Sequence, residues 1–261
     1  MTDDVLKETP RRDSHPLLFN LAKDADAERV RALKAKGEVM QVIDRYESQL
    51  KELFAIDNPP LALSAEFEAS FAKHLASLVQ KGPLSERGIW AYFPWILTLV
   101  HILPDKEFQK VRTARNKNLI TEKEQKKFYD STVGIAGLSV GNSVALAITL
   151  QGGARHMKLA DHDMLELSNL NRIRSGIDSL GVPKVELTAR QIYLLNPYAQ
   201  VELFPEGLTD SNMNNFFDGL DIIIDEIDNL IIKYRIREEA KKRKIPVLMA
   251  ADNADSGVID I

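Results

Sequence analysis

The stretch DHDMLELSNLNR, residues 161–172, follows the short apolar run Met157–Ala160, and Lys184 comes 12 residues after its end. A short apolar run closed by an aspartate is typical of a buried strand that ends at the edge of a sheet. Arg172 and Lys184 suit a triphosphate, whose several negative charges need fixed cations, and each charge-assisted hydrogen bond contributes roughly 1.5–3 kcal/mol. The spacing alone equally allows an exposed polar loop with a surface arginine and lysine.

Strand and helix patterns alternate on both sides of this stretch, from Ser131 to the end of the chain. Such alternation implies right-handed crossovers and a mostly parallel sheet, so we predict a Rossmann-like, three-layer α/β domain. The predicted strands are Thr132–Ala136, Met157–Ala160, Val201–Phe204, Asp221–Ile224, Pro246–Ala250 and one that starts at Gly257, and the predicted helices are Asn142–Leu150, Lys184–Leu195 and Leu230–Lys244.

The first predicted strand runs directly into Gly137-Leu-Ser-Val-Gly-Asn142 and then into a helix. Unpaired amides and the helix dipole at such a helix start suit a phosphate, so Gly137, Ser139, Val140 and Gly141 are candidate nucleotide contacts. The match to G-x-G-x-x-G is imperfect, because Ser139 and Asn142 stand at the second and third glycine positions and Gly141 comes one position early. A tight turn with no ligand is the alternative.

Acidic residues follow two of the predicted strands. Asp161 lies where a carboxylate meets a nucleotide ribose, although this does not separate NAD from ATP. Asp225-Glu-Ile-Asp-Asn229 follows the fourth strand, and a phosphate-bound magnesium ion usually takes one or two carboxylates. We choose Asp228 as the metal ligand, with Asp225 second. Capping of the next helix by Asp228 or Asn229 is an alternative role.

The N-terminal half has a different texture. We predict a disordered tail at residues 1–16, a helical region at residues 17–110, from apolar spacings of three, four and seven, and the nucleotide-binding domain at residues 111–261. Pro59 and Pro60 should break the helical pattern. The aromatic segment Ile89–Leu103 indicates a core or an interface, and Thr121-Glu-Lys-Glu124 predicts a capping box.

Composition excludes several classes of protein. The 261 residues carry a formal net charge of -4 and no cysteine, which argues against nucleic-acid binding and excludes thiolate zinc sites and a cysteine nucleophile within them. The five histidines show no metal-ligand spacing. Without an apolar run of about 20 residues or a signal-peptide core, the sequence predicts a soluble, cytoplasmic protein with no membrane partner.

The glycine turn, the D-x-D-x-x-x-x-S-N-L-N-R block, G-x-x-K, N-P and D-x-x-D-N follow one another in an order that resembles the ThiF/MoeB superfamily, whose fold ubiquitin-activating enzymes share. The variant GLSVGN turn is similar to a bacterial subgroup of that superfamily. The resemblance covers about Arg115 to Ile261 and implies a domain that binds ATP and Mg²⁺. It assigns Asp161 to the ribose, Asp228 to the metal with Asn229 beside it, and these residues to the phosphates: Ser168, Asn169, Asn171, Arg172 and Lys184.

The resemblance further implies an adenylyltransferase that activates a carboxylate as an acyl-adenylate and releases pyrophosphate. The expected substrate is the C-terminus of a small ubiquitin-like protein or peptide, although some relatives adenylate a carboxylate on tRNA. An arginine ahead of the first strand, here Arg115 with Lys117 in reserve, is expected to reach the ATP of a partner subunit, which implies a homodimer.

Two other functions stay open at this point. The first is an NAD(P)-dependent oxidoreductase that uses the same turn. The second is a non-catalytic scaffold of the same fold, which we consider because the chain stops on a strand and we expect the domain to be incomplete at its C-terminal end.

Overall fold

The computed structural model describes residues 13–253 and 256–261, and the first 12 residues of the predicted disordered tail lie outside this range. The chain divides into two compact units, Met1–Ala114 and Arg115–Ile261. No helix in the described part of the chain is both long and apolar enough to cross a bilayer.

The N-terminal unit contains a four-stranded sheet in the order β1-β3-β4-β2, which the sequence did not predict. Strands β3 and β4 form an antiparallel hairpin, β1 pairs antiparallel with β3, and β2 pairs parallel with β4. The elements are β1 (Leu17–Phe19), α1 (Asp24–Ala35), β2 (Gln41–Asp44), α2 (Tyr46–Asp57), α3 (Pro59–Ala62), α4 (Phe67–Val79), β3 (Ile89–Phe93), β4 (Thr98–Ile102) and α5 (Asp105–Arg112).

The purely helical description of residues 17–110 therefore needs correction. Val42 and Ile43 fitted a helical period but form β2, as the preference of β-branched residues for strands favours. The aromatic segment Ile89–Leu103 holds the β3–β4 hairpin. Pro59 begins a helix instead of only ending one, because the first helical position tolerates the missing N–H.

The C-terminal unit has the predicted α/β architecture. Its six-stranded sheet has the order β7-β6-β5-β8-β9-β10, in which only β10 is antiparallel to its neighbour. The elements are α6 (Glu122–Asp130), β5 (Thr132–Ala136), α7 (Gly141–Leu150), β6 (His156–Ala160), α8 (Lys184–Leu195), β7 (Gln200–Phe204), α9 (Met213–Phe217), β8 (Ile222–Asp225), α10 (Leu230–Arg243), β9 (Val247–Asn253) and β10 (Ser256–Asp260). The predicted capping box forms, with Thr121 and Glu124 bonded reciprocally at the start of α6.

The strand order defines where a ligand can bind. The two central strands, β5 and β8, are buried along both faces, as their apolar runs require. After β5 the chain adds β6 and β7 on one side, and then returns to place β8 on the other side. Such a switch in direction opens a crevice at the carboxyl ends of the two central strands. Here Gly137 follows β5 and Glu226 follows β8.

Candidate functional site

The glycine turn packs tightly against the loop after β8. Gly137 has φ +88°, and a Cβ added there would lie 2.4 Å from the carbonyl oxygen of Glu226. Both facts exclude a side chain at this position. A Cβ at Gly141 would lie 2.8 Å from Cγ2 of Ile135, so the start of α7 also needs a glycine. The turn departs from the usual motif but keeps the two glycines that its packing requires.

Asp161 ties the glycine turn to the polar stretch that follows β6. Its carboxylate is buried, with Oδ2 accepting a hydrogen bond from the Leu138 amide at 2.6 Å and Oδ1 accepting one from the Asp163 amide at 2.8 Å. The carboxylate predicted for the ribose therefore also shapes the turn. Each oxygen has two lone pairs, so these bonds leave acceptor capacity for a hydroxyl group.

Arg172 joins the polar stretch to the glycine turn directly. Its Nε donates to Oγ of Ser139 at 2.7 Å, and one terminal nitrogen donates to Oδ1 of Asn171 at 2.7 Å and to the carbonyl of Ser168 at 3.4 Å. The guanidinium is exposed, so it can reach a ligand from this position. Two motifs that are 33 residues apart in the chain thus meet at one point.

Asn169 stabilises the short helix that directly precedes Arg172. It is buried in a short 3₁₀ helix, Leu167–Asn171, where its Oδ1 accepts from the Glu166 amide at 3.0 Å and its backbone amide returns a bond to the Glu166 side chain. We predicted Asn169 as a phosphate contact, and the structure shows it capping the helix that carries the exposed Ser168 and Asn171.

Lys184 is buried at the start of α8 and is held by Asp163. Its Nζ donates to Asp163 Oδ2 at 2.7 Å, and its backbone amide donates to the Asp163 carbonyl at 2.9 Å. The hydrogen bond from Lys184 lowers the pKa of Asp163, against the opposing effect of partial burial. The sequence interpretation gave Asp163 no role, although its place in the D-x-D pair was a signal for one.

The segment after β8 divides its acidic residues between two roles. Asp225 is completely buried, and its two oxygens are bound by Lys233 Nζ at 3.2 Å and by an Arg237 nitrogen at 2.6 Å. These ion pairs remove Asp225 as the second choice of metal ligand. Asp228 is exposed, and Asn229 caps α10 by accepting from the amides of Ile231 and Ile232 at 3.0 and 3.2 Å. Helix capping thus falls to Asn229.

Arg115 is not brought to this site within one chain. It is exposed in a short 3₁₀ helix, Ala114–Asn118, whose Asn116 donates to the carbonyl of Gln151 just beyond the C-terminal end of α7. The glycine turn lies at the other end of α7, and ten helical residues span about 15 Å. Within one chain, Arg115 therefore lies near the opposite end of α7 from the glycine turn.

The structure thus brings together a glycine turn, Arg172, Lys184 and the Asp161 carboxylate at the carboxyl end of a parallel sheet in a Rossmann-like fold. The sequence model of the ThiF family matches residues 113–258, more than half of the chain. This chain therefore belongs to the ThiF family.

Relatives with known sequences and structures extend this result. The uncharacterized protein MT1398 of Mycobacterium tuberculosis is 41% identical over 76% of this chain and 28% of its own length. The adenylyltransferase and sulfurtransferase UBA4 of Yarrowia lipolytica is 32% identical over 49% of this chain and 32% of its own length. The chain therefore spans about a third or less of these two curated relatives.

A solved structure of a relative contains the nucleotide. The E. coli tRNA N6-threonylcarbamoyladenosine dehydratase TcdA in complex with ATP has 26% sequence identity and a TM-score of 0.51, over 54% of this chain and 58% of that one.

Proposed function

We propose that this ThiF domain binds ATP and adenylates a carboxylate substrate, with release of pyrophosphate. The observation that carries the proposal is the bond between Arg172 and Ser139, which places a fixed cation on the glycine turn. A dinucleotide needs little beyond the turn and the helix dipole, whereas a triphosphate needs charges beyond the turn. Lys184 supplies a second such charge.

The reaction asks for positioning and charge stabilisation. A substrate carboxylate is already ionised at pH 7, so it attacks the α-phosphorus without a general base. The new bond joins a carboxylate oxygen to the α-phosphorus, and the bond to the bridging oxygen of pyrophosphate breaks with its electron pair. Arg172 and Lys184 stabilise the negative charge that accumulates on the departing phosphates.

Lys184 can serve the phosphates without leaving Asp163. An ammonium group has three protons, and the described contacts use one of them on the Asp163 carboxylate. That contact fixes the orientation of a long side chain before the nucleotide arrives, which lowers the entropy cost of binding. We assign Asp163 to this positioning role.

Asp228 fits the requirements of a magnesium ligand. It is exposed beside the crevice, and it forms no ion pair with any residue in the described part of the chain. A magnesium ion bound to phosphates takes one or two carboxylates and completes its shell with phosphate oxygens and water. When bound there, it would neutralise charge on the phosphates.

The partner assignments rest on the family. We propose a homodimer in which Arg115 reaches the nucleotide of the other copy, because a single chain does not bring it there. For the acyl substrate we propose the C-terminus of a ubiquitin-like protein or a peptide. The net charge of -4 favours this over a carboxylate on tRNA, although TcdA is named for a tRNA modification.

Calorimetry with ATP–magnesium and with NAD tests the nucleotide assignment. We expect ATP to bind and Arg172→Ala and Lys184→Ala each to weaken it by roughly 10- to 100-fold, as expected for a lost charge-assisted hydrogen bond. Arg174→Ala, an exposed arginine two residues from Arg172, is the matched control and should bind ATP normally. Binding of NAD without ATP would instead establish the oxidoreductase alternative.

Exchange of labelled pyrophosphate into ATP tests the reaction itself. We expect exchange when a ubiquitin-like protein with a free C-terminal carboxylate is added, and none when that carboxylate is amidated. ATP binding without exchange for either protein or tRNA carboxylates would favour a scaffold of this fold that does not catalyse adenylation.

A further inference from the structure

Asn142 occupies the third glycine position of the nucleotide-binding motif, and it is completely buried at the start of α7. Its Nδ2 donates both protons to α8, one to Thr188 Oγ1 at 2.9 Å and one to Gln191 Oε1 at 2.7 Å. Its Oδ1 accepts no hydrogen bond from the described residues, and a buried acceptor without a donor costs about 1–3 kcal/mol. A glycine or alanine would avoid that cost, so the amide has a role other than filling space.

Thr188 and Gln191, the two partners of Asn142, each donate a further hydrogen bond. The Thr188 hydroxyl donates to the carbonyl of Lys184 at 2.8 Å, so its oxygen is left to accept from Asn142. The Gln191 side chain accepts from Asn142 through Oε1 and donates through Nε2 to the carbonyl of Arg174 at 2.6 Å. In each of these hydrogen bonds the donor belongs to the residue nearer to Asn142 in the network, so donors and acceptors match along both branches.

The network ends beside both cations of the site. One branch reaches the backbone of Lys184 itself, and the other reaches Arg174, two residues after Arg172. Its origin, Asn142, is in the first turn of the helix that follows the glycine turn. The three sequence motifs that contribute to the crevice are therefore joined by four hydrogen bonds, of which three are buried or partly buried and the last, to the Arg174 carbonyl, is exposed.

We infer that Asn142 is a positioning residue, which sets the distance from the glycine turn to Lys184 and to the Arg172 loop. This inference rests on the proposed binding of ATP at the same crevice. A glycine at this motif position normally lets the helix pack closely. Here a side chain fixes the spacing between α7 and α8 instead. Misplacement of a binding group by about 1 Å can cost a large factor in function, so the spacing matters for the phosphates.

The test compares ATP with adenosine, which has the same base and ribose and no phosphate. We expect Asn142→Ala and Gln191→Ala each to weaken ATP–magnesium binding roughly tenfold in calorimetry and to leave adenosine binding within about twofold. The double variant should bind ATP about as well as either single variant, because both changes interrupt one network. Gln191 is partly exposed, so its variant keeps the test available if Asn142→Ala does not fold.

Thr149→Val is the matched control. Thr149 is buried on the same face of α7, seven residues after Asn142, and its hydroxyl donates within the helix to the Ala145 carbonyl. The ratio of ATP to adenosine affinity should stay at the wild-type value in this variant. Unchanged ATP binding in the Asn142 and Gln191 variants, or an equal loss for adenosine, would overturn the inference alone. Wild-type protein that does not bind ATP would overturn the proposed function and this inference with it.

Discussion

Among the residues whose burial the structure describes, each unit contains one ionisable side chain with no exposed surface, Asp225 in the C-terminal unit and His101 in the N-terminal unit. Asp225 is the last residue of β8, where the strand reaches the crevice, and its partners Lys233 and Arg237 come from the helix that follows. His101 lies within β4, between residues that pair on both sides with neighbouring strands.

The surroundings of His101 are closed off in a different way. Its ring stacks between Tyr46 and Trp90, with centroid distances of 4.1 and 4.2 Å. Nδ1 lies 3.0 Å from Asp44 Oδ1, and Nε2 lies 2.7 Å from the Arg87 carbonyl, which can only accept, so Nε2 must donate. Neither nitrogen faces a crevice.

Equal burial thus has different consequences at two places along a strand. At the carboxyl end of β8, a buried carboxylate orders the loop that carries Asp228. In the interior of β4, a buried imidazole has only structural partners. We therefore expect changes at Asp225 to affect stability and nucleotide binding together, and changes at His101 to affect stability alone.

Asp225→Ala should have the largest effect. It leaves Lys233 and Arg237 without their counter-charge, and removal of one partner from a buried ion pair costs about 3 kcal/mol. Both tryptophans, Trp90 and Trp95, are in the N-terminal unit. In urea, far-UV circular dichroism should therefore fall earlier in the variant, while the tryptophan fluorescence transition keeps its midpoint.

Asp210→Ala is the control for that experiment. Asp210 forms an ion pair with Arg235, which lies on α10 together with Lys233 and Arg237. Both side chains of this pair are exposed, so its loss should lower the free energy of unfolding by less than about 1 kcal/mol. If Asp225→Ala and Asp210→Ala shifted the urea transition equally, burial of the carboxylate at the end of β8 would add nothing to its contribution to stability.

His101→Leu should have the second-largest effect, a loss of about 2 kcal/mol in the free energy of unfolding. It removes two hydrogen bonds and the ring that stacks between Tyr46 and Trp90. The tryptophan fluorescence transition should move to lower urea, and ATP affinity should not change. His74→Leu, at an exposed histidine that stacks on Phe54, should move the midpoint far less. A drop in ATP affinity in the His101 variant would break the contrast between the two units.

Ser139→Ala should have a smaller effect, confined to binding. It removes the partner of Arg172 Nε, which is exposed, so a loss of about 1 kcal/mol or roughly fivefold in ATP affinity is expected. Calorimetry measures this, with Ser143→Ala one turn further along as the comparison. If ATP affinity is unchanged, the bond does not orient the arginine.

The smallest expected effect is a dependence of stability on pH that comes from Asp163. Because Lys184 holds the pKa of Asp163 below its ordinary value, the carboxylate stabilises the fold fully above the unfolded pKa of about 3.9, and this contribution is lost as pH falls through the native pKa. Asp163 is half exposed, so it contributes under about 1 kcal/mol. The gap in urea midpoint between wild type and Asp163→Asn should be present at pH 7 and shrink below about pH 4. A gap that stays constant with pH would contradict this.

Much of the C-terminal unit could be predicted because glycine, aspartate and proline separate its apolar runs. The predicted bounds of β5 and α8 agree with the structure. The five-residue helix α9 was missed, since it is too short to show a period. Strands β1 and β2 of the N-terminal sheet were missed for the same reason, since they have three and four residues and β2 lies between two helices in the chain.

Some residues of the candidate site could likewise be predicted from the sequence, and others could not. Residue types pointed to Arg172, Lys184 and Asp161, because charge after a buried strand indicates a ligand. Asp163 could have been suspected from its place in the D-x-D pair, but Thr188 and Gln191 could not be predicted, since they acquire their roles only when α7 and α8 come together. Capping by Asn229 was one of the alternatives considered from the sequence, whereas the role of Asn169 depends on backbone geometry that a polar sequence pattern does not specify.

The contact between Gly137 and the Glu226 carbonyl also bears on how such a sequence can change over time. Any residue other than glycine would have to push apart the loops that carry the turn and Asp228. This position therefore requires glycine in the present fold, whereas Ser139 and Asn142 stand at the other two glycine positions of the motif and form side-chain hydrogen bonds to Arg172, Thr188 and Gln191. Two of the three positions thus accommodate polar side chains while the close contact at Gly137 is kept.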